Sequence, residues 1–457
     1  MRLHVTPGRR ISGEVAVPGD KSIAHRWLLL GATANGQVRI EGLPRSLDVA
    51  STVACLARLA PAARPALEAW ASRSAVTDER HSSTWNREPS TLEVEELDLP
   101  GEGRGSLEAH ADALDCGNSG TTMRLLCGVL AASSFSTVLA GDRSLNARPM
   151  ERLARPLRLM GADVETQDGH APITVRGAAL HGMRFQPDVP SAQVKGAILL
   201  AGAAAEGTTT VVESIRTRDH TERALGAMGA PVATDGTNIA IDGPFQHRGF
   251  TGSVPGDASS AVFLIAAAAI TGGDLTVPAV GLNPSRLHVL DVLRRMGVTI
   301  ETTVEREEVG EPVGTIAVGA AGGIHPVEVA PDELPLVIDE IPALVAVAAH
   351  APGLSRFAGA GELRVKESDR LSTLVEGVRS LGSDATVEGD DVLVRGGRLA
   401  GGSARSAGDH RIGMALAVAA LAATGPSVID GIEAAAVSFP GFVGSLGALG
   451  ADVEERA

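Results

Sequence analysis

Six times along the chain a short polar cluster runs directly into an alanine-rich apolar stretch. The clusters are Gly19-Asp20-Lys21-Ser22, Gly117-Asn118-Ser119-Gly120, Pro190-Ser191-Ala192-Gln193, Gly256-Asp257-Ala258-Ser259, Ile338-Asp339-Glu340-Ile341 and Gly408-Asp409-His410-Arg411. Each predicts a helix start, with a capping residue ahead of a run too apolar to face water. A helix start carries unpaired backbone N–H groups and the positive end of the helix dipole, which makes it a ready anion site. Basic residues sit on or near several of these starts: Lys21, Arg26, Arg124, Lys195 and Arg411. A chain that repeats this device is built to hold multiply charged anions.

A second pattern follows most of the clusters. Amphipathic segments end in Met160-Gly161, Met228-Gly229, Met296-Gly297, Leu381-Gly382 and Leu449-Gly450, and these glycines are spaced by 68, 68, 85 and 68 residues. Glycine after the last apolar residue is a helix C-terminal signal, and an alternating, strand-like segment such as Val298-Thr299-Ile300-Glu301 comes next. A period this long is a whole supersecondary element. The pattern predicts six strand-helix-strand-helix-strand units. The first is less regular: Leu59-Ala60 takes the Leu-Gly place, and an irregular insertion rich in Pro, Ser and charge is expected over about 61–90.

Length and composition narrow the class. At 457 residues the chain suggests two domains. Aromatics make up only 2% and Tyr is absent, so the core must be aliphatic and stacking on nucleic acid bases is disfavoured. The net charge of −15 argues against nucleic acid or an anionic membrane as partner, yet allows a local cationic cleft. No apolar run reaches the roughly 20 residues of a membrane span. Cys55, Cys116 and Cys127 lack metal-ligand spacing and are expected as small buried side chains, which suggests the reducing cytoplasm.

Candidate chemistry falls on the same clusters. Lys21 stands on a first turn, and Ser22 and Arg26 share a helix face. Lys21 and Arg26 oppose the dipole there, so a bound anion is the better explanation for them. Two glycines beside Asn118 and Ser119 allow close backbone approach by a ligand, with Arg124 a turn further on. Arg148 precedes Pro149 at another helix start, and its fixed fork suits carboxylate or phosphate. Lys366, Glu367 and Arg370 are spaced to meet at the first turn of an amphipathic helix, where two cations could tune Glu367 for proton transfer. Asp339 lies in an apolar run, as an N-cap or as a paired functional carboxylate.

Taken together and in order, PGDKSIAHR, GNSGTTMR, RPM, SAQVK, TRDHTER, GDASSA, IDEIP, VKESDR, DHR and SFPGF resemble the 5-enolpyruvylshikimate-3-phosphate synthase family over nearly the whole chain. The resemblance implies an α/β fold, a two-domain inverse α/β barrel with three βαβαββ units in each domain and the active site in the cleft between them. It implies domains of 1–18 plus 252–457 and of 19–251, with the chain crossing near Pro18-Gly19 and near Gly252 to Gly256. The implied reaction moves the enolpyruvyl group of phosphoenolpyruvate to the 5-hydroxyl of shikimate 3-phosphate by addition and elimination, with no cofactor and no metal. Shikimate 3-phosphate would meet Lys21, Ser22, Arg26, Ser191, Ala192, Gln193, Thr217, Asp339 and Lys366. Phosphoenolpyruvate would meet Lys21, Gly120, Arg148, Gln193, Arg370 and Arg411. Asp339 would accept the hydroxyl proton, and Glu367 or Lys21 would handle the proton at carbon. A cytoplasmic monomer acting on small molecules is expected.

Two departures from the family pattern stand out. Val437 occupies a position where some members carry Lys, a contact that Lys195 could supply. His220 stands where others have Tyr, which would change the contact to the shikimate face. Gly120 leaves space beside the implied phosphoenolpyruvate site, so glyphosate is expected to enter. The alternatives are a UDP-N-acetylglucosamine enolpyruvyl transferase, which favours Lys-Asn where Lys21-Ser22 stands here, and a catalytically inert anion-binding protein on the same scaffold.

Overall fold

The computed structural model describes residues 1–73, 96–319 and 322–457. All six polar clusters start helices: Lys21–Thr33, Gly120–Leu130, Ala192–Gly202, Ala258–Thr271, Ile341–Ala348 and His410–Leu421. Asp20, Ser119, Ser191, Asp257 and Asp409 cap their helices with side-chain oxygens. These are helices apolar all round, and they are accordingly buried all round: every residue of Gly120–Leu130 and of His410–Leu421 is inside. Their alanine and glycine content lets them approach closely. A Cβ on Gly128 would sit 2.3 Å from the Ala197 carbonyl oxygen, so only glycine fits where the Gly120 and Ala192 helices meet.

The second helix of each unit is amphipathic and lies outside. Glu151–Leu159, His220–Ala227, His288–Arg295, Arg370–Ser380 and Phe442–Ala448 each end at the expected Met-Gly or Leu-Gly. Gly161, Gly229, Gly297, Gly382 and Gly450 have φ between +88° and +111°, which a side-chain-bearing residue rarely adopts.

The strands form six small sheets that share one pairing plan. In Leu114–Asp115, Ser136–Ala140, Asp163–Gln167 and His170–Arg176, the first pair is parallel and the other two are antiparallel. The sheets built around Gly207–Val212, Leu275–Gly281, Gly353–Phe357 and Ser427–Asp430 repeat it. In the sixth, Val38–Glu41 pairs parallel with Thr251–Ser253 and antiparallel with Glu96–Leu99.

Two strands are exchanged between the halves. Gly13–Glu14 precedes the Lys21 helix in sequence but pairs with Leu275–Gly281, while Thr251–Ser253 precedes the Ala258 helix but pairs with Val38–Glu41. The chain segments between them cross side by side, with Asp20 N–H donating to Pro255 O at 2.7 Å and Asp257 N–H to Pro18 O at 2.8 Å. Two separate hydrophobic cores result. One gathers residues from Leu3 to Val17 and from Ala258 to Leu449, the other residues from Ile23 to Val254.

Three expectations are corrected. The segment expected to be irregular contains the helix Arg64–Arg73, whose Leu67 and Trp70 are buried; residues 74–90 of that insertion, Trp85 among them, lie outside the described residues. Lys366 and Glu367 do not stand on a helical turn but in the bend before the Arg370 helix, whose cap is Asp369. Asp339 is not an N-cap, because Glu340 holds that position, without a side-chain capping bond. The three cysteines are free and buried, as expected.

Candidate active site

All six inner helices direct their starts at one cleft between the halves. Lys21, Gly120, Ala192, Asp257, Asp339 and His410, one from each cluster, line it. Ten Lys and Arg side chains against five carboxylates line the same space, so a locally cationic surface sits inside a chain of net charge −15. Convergent helix dipoles and guanidinium forks form an anion receptor with room for more than one charged group.

One end of the cleft belongs to the Gly120 helix. Arg148 donates from Nη2 to Asn118 Oδ1 at 2.6 Å, and Asn118 in turn donates to Asp142 at 2.6 Å. Gln193 joins the Ala192 helix to the Gly120 helix, accepting from Arg124 Nη1 at 2.5 Å and donating to Thr121 Oγ1 at 2.8 Å. Burial, with Arg152 and Arg148 beside it, pulls the Arg124 guanidinium down to about 9. A methyl group on Gly120 would lie 3.0 Å from Arg124 Nη1 and 3.1 Å from Arg148 Nη1, so glycine is what lets both forks face the cleft here. Lys21 reaches Asp48 at 2.8 Å.

The facing wall carries the carboxylates. Asp339 lies 2.5 Å from Arg218 Nη2 and 3.4 Å from Lys366 Nζ, and Arg411 donates to its backbone carbonyl. Burial opposes its ionisation, but Lys366, Arg218, Arg411 and Arg370 outweigh that and hold the carboxyl well below the ordinary range. Arg370 grips Asp409 with Nε at 2.8 Å and Nη2 at 3.1 Å, and also donates to Glu367. Glu367 is likewise held low: burial opposes its ionisation, but Arg370, and beyond it Arg148 and Lys21, outweigh that. His410 is kept neutral by burial first and by the neighbouring Lys21 second. Ser144 Oγ donates to the Glu367 carbonyl at 3.3 Å, a direct tie between the two halves.

Of the residues singled out in the sequence, Lys21, Ser22, Gly120, Arg148, Ser191, Ala192, Gln193, Thr217, Asp339, Lys366, Glu367, Arg370 and Arg411 line this cleft. Arg26 stands one layer back, donating to Ser22 O and Thr221 Oγ1, each at 2.7 Å. His220 is turned away from the cleft. It is buried against Glu311, with Nδ1 and Oε1 2.8 Å apart, so it does not present the altered face contact expected of it. Lys195 is buried between Glu213 at 2.9 Å and Glu222 at 2.7 Å and cannot stand in for a lysine at position 437. Sequence reasoning missed Arg218, although the run Arg216-Thr217-Arg218 was a local cationic signal. It also missed Arg286, whose guanidinium lies between Asp257 at 3.1 Å, Asp20 at 3.8 Å and Glu340 at 4.0 Å.

Six such units, with inner helix starts facing a cationic cleft, make up an inverse α/β barrel. The enolpyruvyl transferase NikO from Streptomyces tendae shares this fold, with a TM-score of 0.75 at 21% identity, 100% of this chain and 98% of that one being covered. The family model described as EPSP synthase (3-phosphoshikimate 1-carboxyvinyltransferase) matches residues 5–93 and 90–446. The chain is 43% identical over 442 residues to the 3-phosphoshikimate 1-carboxyvinyltransferase of Acidithiobacillus ferrooxidans (strain ATCC 53993 / BNL-5-31), covering 96% of each. It is 44% identical over 454 residues to that of Halorhodospira halophila, covering 98% of this chain and 96% of the other. A solved EPSP synthase from Acinetobacter baumannii superposes with a TM-score of 0.82 at 38% identity and 99% coverage of both chains. The chain belongs to the EPSP synthase family, a family of enzymes.

The charge pattern gives a pH signature. Asp339 and Glu367 have folded-state proton affinities below their unfolded values. The stability they contribute is therefore fully present above the ordinary carboxylate pKa near 4 and is lost progressively as pH falls from there through their lower folded-state values. Urea unfolding followed from neutral pH down to about pH 3 should lose stability less steeply in Asp339→Asn than in the parent. Equal slopes would show that the Asp339 carboxyl is not held low.

Proposed function

We propose that the chain transfers the enolpyruvyl group of phosphoenolpyruvate to the 5-hydroxyl of shikimate 3-phosphate, releasing phosphate. The observation that carries this reading is a cleft holding a depressed carboxylate on one wall and paired arginines on the other, in a chain of this family. Shikimate 3-phosphate occupies the part lined by Lys21, Ser22, Ser191, Ala192, Gln193, Thr217, Asp339 and Lys366, with Arg26 set behind Ser22. Phosphoenolpyruvate lies between Gly120 and Arg148 on one side and Arg370 and Arg411 on the other, with Lys21 and Gln193 reaching it.

Asp339, ionised and aimed by Arg218 and Lys366, accepts the proton of the attacking hydroxyl. The methylene carbon of phosphoenolpyruvate must gain a proton as the new C–O bond forms. Glu367 is ionised in the cationic cleft, and the negative charge of bound phosphoenolpyruvate raises its proton affinity toward that of a donor. Lys21, named among the cations acting on Glu367, can share the proton. The tetrahedral intermediate collapses when the phosphate leaves and the proton returns from the methyl group. The arginines hold the phosphate charge throughout, as electrostatic catalysis requires.

Two domains, 1–18 with 252–457 and 19–251, are the natural division, and the two separate cores support it. A monomer acting on small molecules is part of the same reading, and the net charge of −15 disfavours nucleic acid as a partner. Among the described residues no helix is long and apolar enough to cross a membrane.

Phosphate release from phosphoenolpyruvate, with shikimate 3-phosphate or UDP-N-acetylglucosamine offered separately, tests the reading. Release is expected only with shikimate 3-phosphate, and Asp339→Ala should lower kcat by about a hundredfold or more. Release only with the sugar nucleotide would overturn the assignment, and release with neither would favour an inert scaffold. A second expectation concerns glyphosate, which fits the phosphoenolpyruvate region. The methyl of Gly120→Ala would press on Arg124 and Arg148, and should raise the inhibitor's Ki more than the KM for phosphoenolpyruvate. Equal changes in both constants would remove the steric argument.

A further inference from the structure

Behind the wall formed by Ser22, Ser191 and Thr217 lies a layer of buried charge to which the reaction assigns no task. Lys195 is 1% exposed, with its ammonium 2.9 Å from Glu213 Oε2 and 2.7 Å from Glu222 Oε1. Arg26, whose charge acts on Glu222, joins the same layer. Two cations and two carboxylates therefore share one buried layer. Such a group contributes little net stability over an apolar replacement, and removing one partner alone leaves an uncompensated buried charge. Its presence directly beneath a substrate wall needs another reason.

The hydrogen bonds supply one. Glu213 Oε1 accepts the backbone N–H of Thr217 at 3.2 Å and also its hydroxyl. Lys195 Nζ donates to the Thr217 carbonyl at 3.3 Å. Every hydrogen-bonding group of Thr217 is thus held by one ion pair, and Arg218, the next residue, is the one that reaches Asp339. The segment from Glu213 to His220 belongs to no helix or strand up to the His220 helix, so this pair replaces the ladder bonds that would otherwise fix it.

We propose that Glu213 and Lys195 are positioning residues for the first substrate, holding Thr217 and through it Arg218 at the cleft wall before that substrate arrives. This rests on the reading of the cleft as a shikimate 3-phosphate site. Preorganising the wall removes ordering losses that binding would otherwise carry. The effect belongs to one substrate, because phosphoenolpyruvate lies against Gly120, Arg148, Arg370 and Arg411.

A double-mutant cycle on the full chain tests it, with KM for each substrate, kcat and melting temperature measured together. Glu213→Gln should raise KM for shikimate 3-phosphate about tenfold while KM for phosphoenolpyruvate stays within about twofold. In the Thr217→Val background the same substitution should raise the first KM by clearly less than in the parent, since one of the two bonds that Glu213 makes to this residue is already gone and only the backbone N–H bond remains. If Glu213→Gln does not fold, Glu213→Gln with Lys195→Met removes both charges and carries the cycle. Additive effects in the Thr217→Val background would overturn the proposal, as would equal changes in both KM values that track a fall in melting temperature. A parent enzyme that shows no release with shikimate 3-phosphate would instead overturn the functional reading beneath it.

Discussion

The structure depends on aspartates that serve a helix and an arginine at once. Asp20 accepts from the Ser22 and Ile23 N–H groups, Asp257 from Ser259, and Asp409 from Arg411 and Ile412. The same carboxylates hold the buried guanidiniums of Arg286 and Arg370. Burial raises the proton affinity of Asp20, yet Arg286 and its neighbours bring it down to about 2. Each pairing solves two problems together: a buried charge acquires an opposite charge, and a helix start acquires its cap. Because Asp20 and Asp257 also stand where the chain crosses between the halves, Arg286 ties the two crossings to each other. The cleft is therefore anchored at its base by the interactions that begin its helices.

From that base the arrangement of charge follows. The helix starts point into the cleft because the apolar remainder of each helix is sunk in one of the two cores. With three of the caps occupied by aspartates that also pair with Arg286 and Arg370, the cations that face the cleft include Lys21, Arg148, Arg411 and Lys366 on its walls. Their excess is what keeps Asp339 and Glu367 ionised. Such a surface has unfavourable self-repulsion when empty, which binding of multiply charged anions relieves. Differential stabilisation of a reacting phosphate is then a property of the scaffold and not of any single residue.

Much of this was legible in the sequence. Capping chemistry ahead of apolar runs located five of the six inner helices, the polar cluster at Asp339 located the sixth although its helix has no side-chain cap, and the Met-Gly and Leu-Gly pairs located the ends of the outer ones. Both signals are local, so they survive without knowledge of the fold. What escaped was decided by contacts distant in sequence. The exchange of Gly13–Glu14 and Thr251–Ser253 between sheets leaves no local mark, and only the family resemblance put the crossings near Pro18-Gly19 and near Gly252 to Gly256. The first turn of the His220 helix carries His220 and Glu222 inward, toward Glu311 and Lys195, and periodicity alone does not say which polar residue of a turn meets a ligand. Arg218 carries no local mark that separates it from Arg216, because its partner Asp339 lies far along the chain. Lys366 and Glu367 had helical spacing to Arg370, but Asp369 caps that helix and leaves both in the preceding bend.

The most direct test of the anion-receptor account is a calorimetric titration of shikimate 3-phosphate into the protein at rising ionic strength. Attraction between a cationic cleft and a multiply charged ligand predicts one site per chain, with affinity falling several-fold between about 0.05 and 0.5 M salt. An affinity indifferent to salt, or no binding of shikimate 3-phosphate while UDP-N-acetylglucosamine binds, would contradict it.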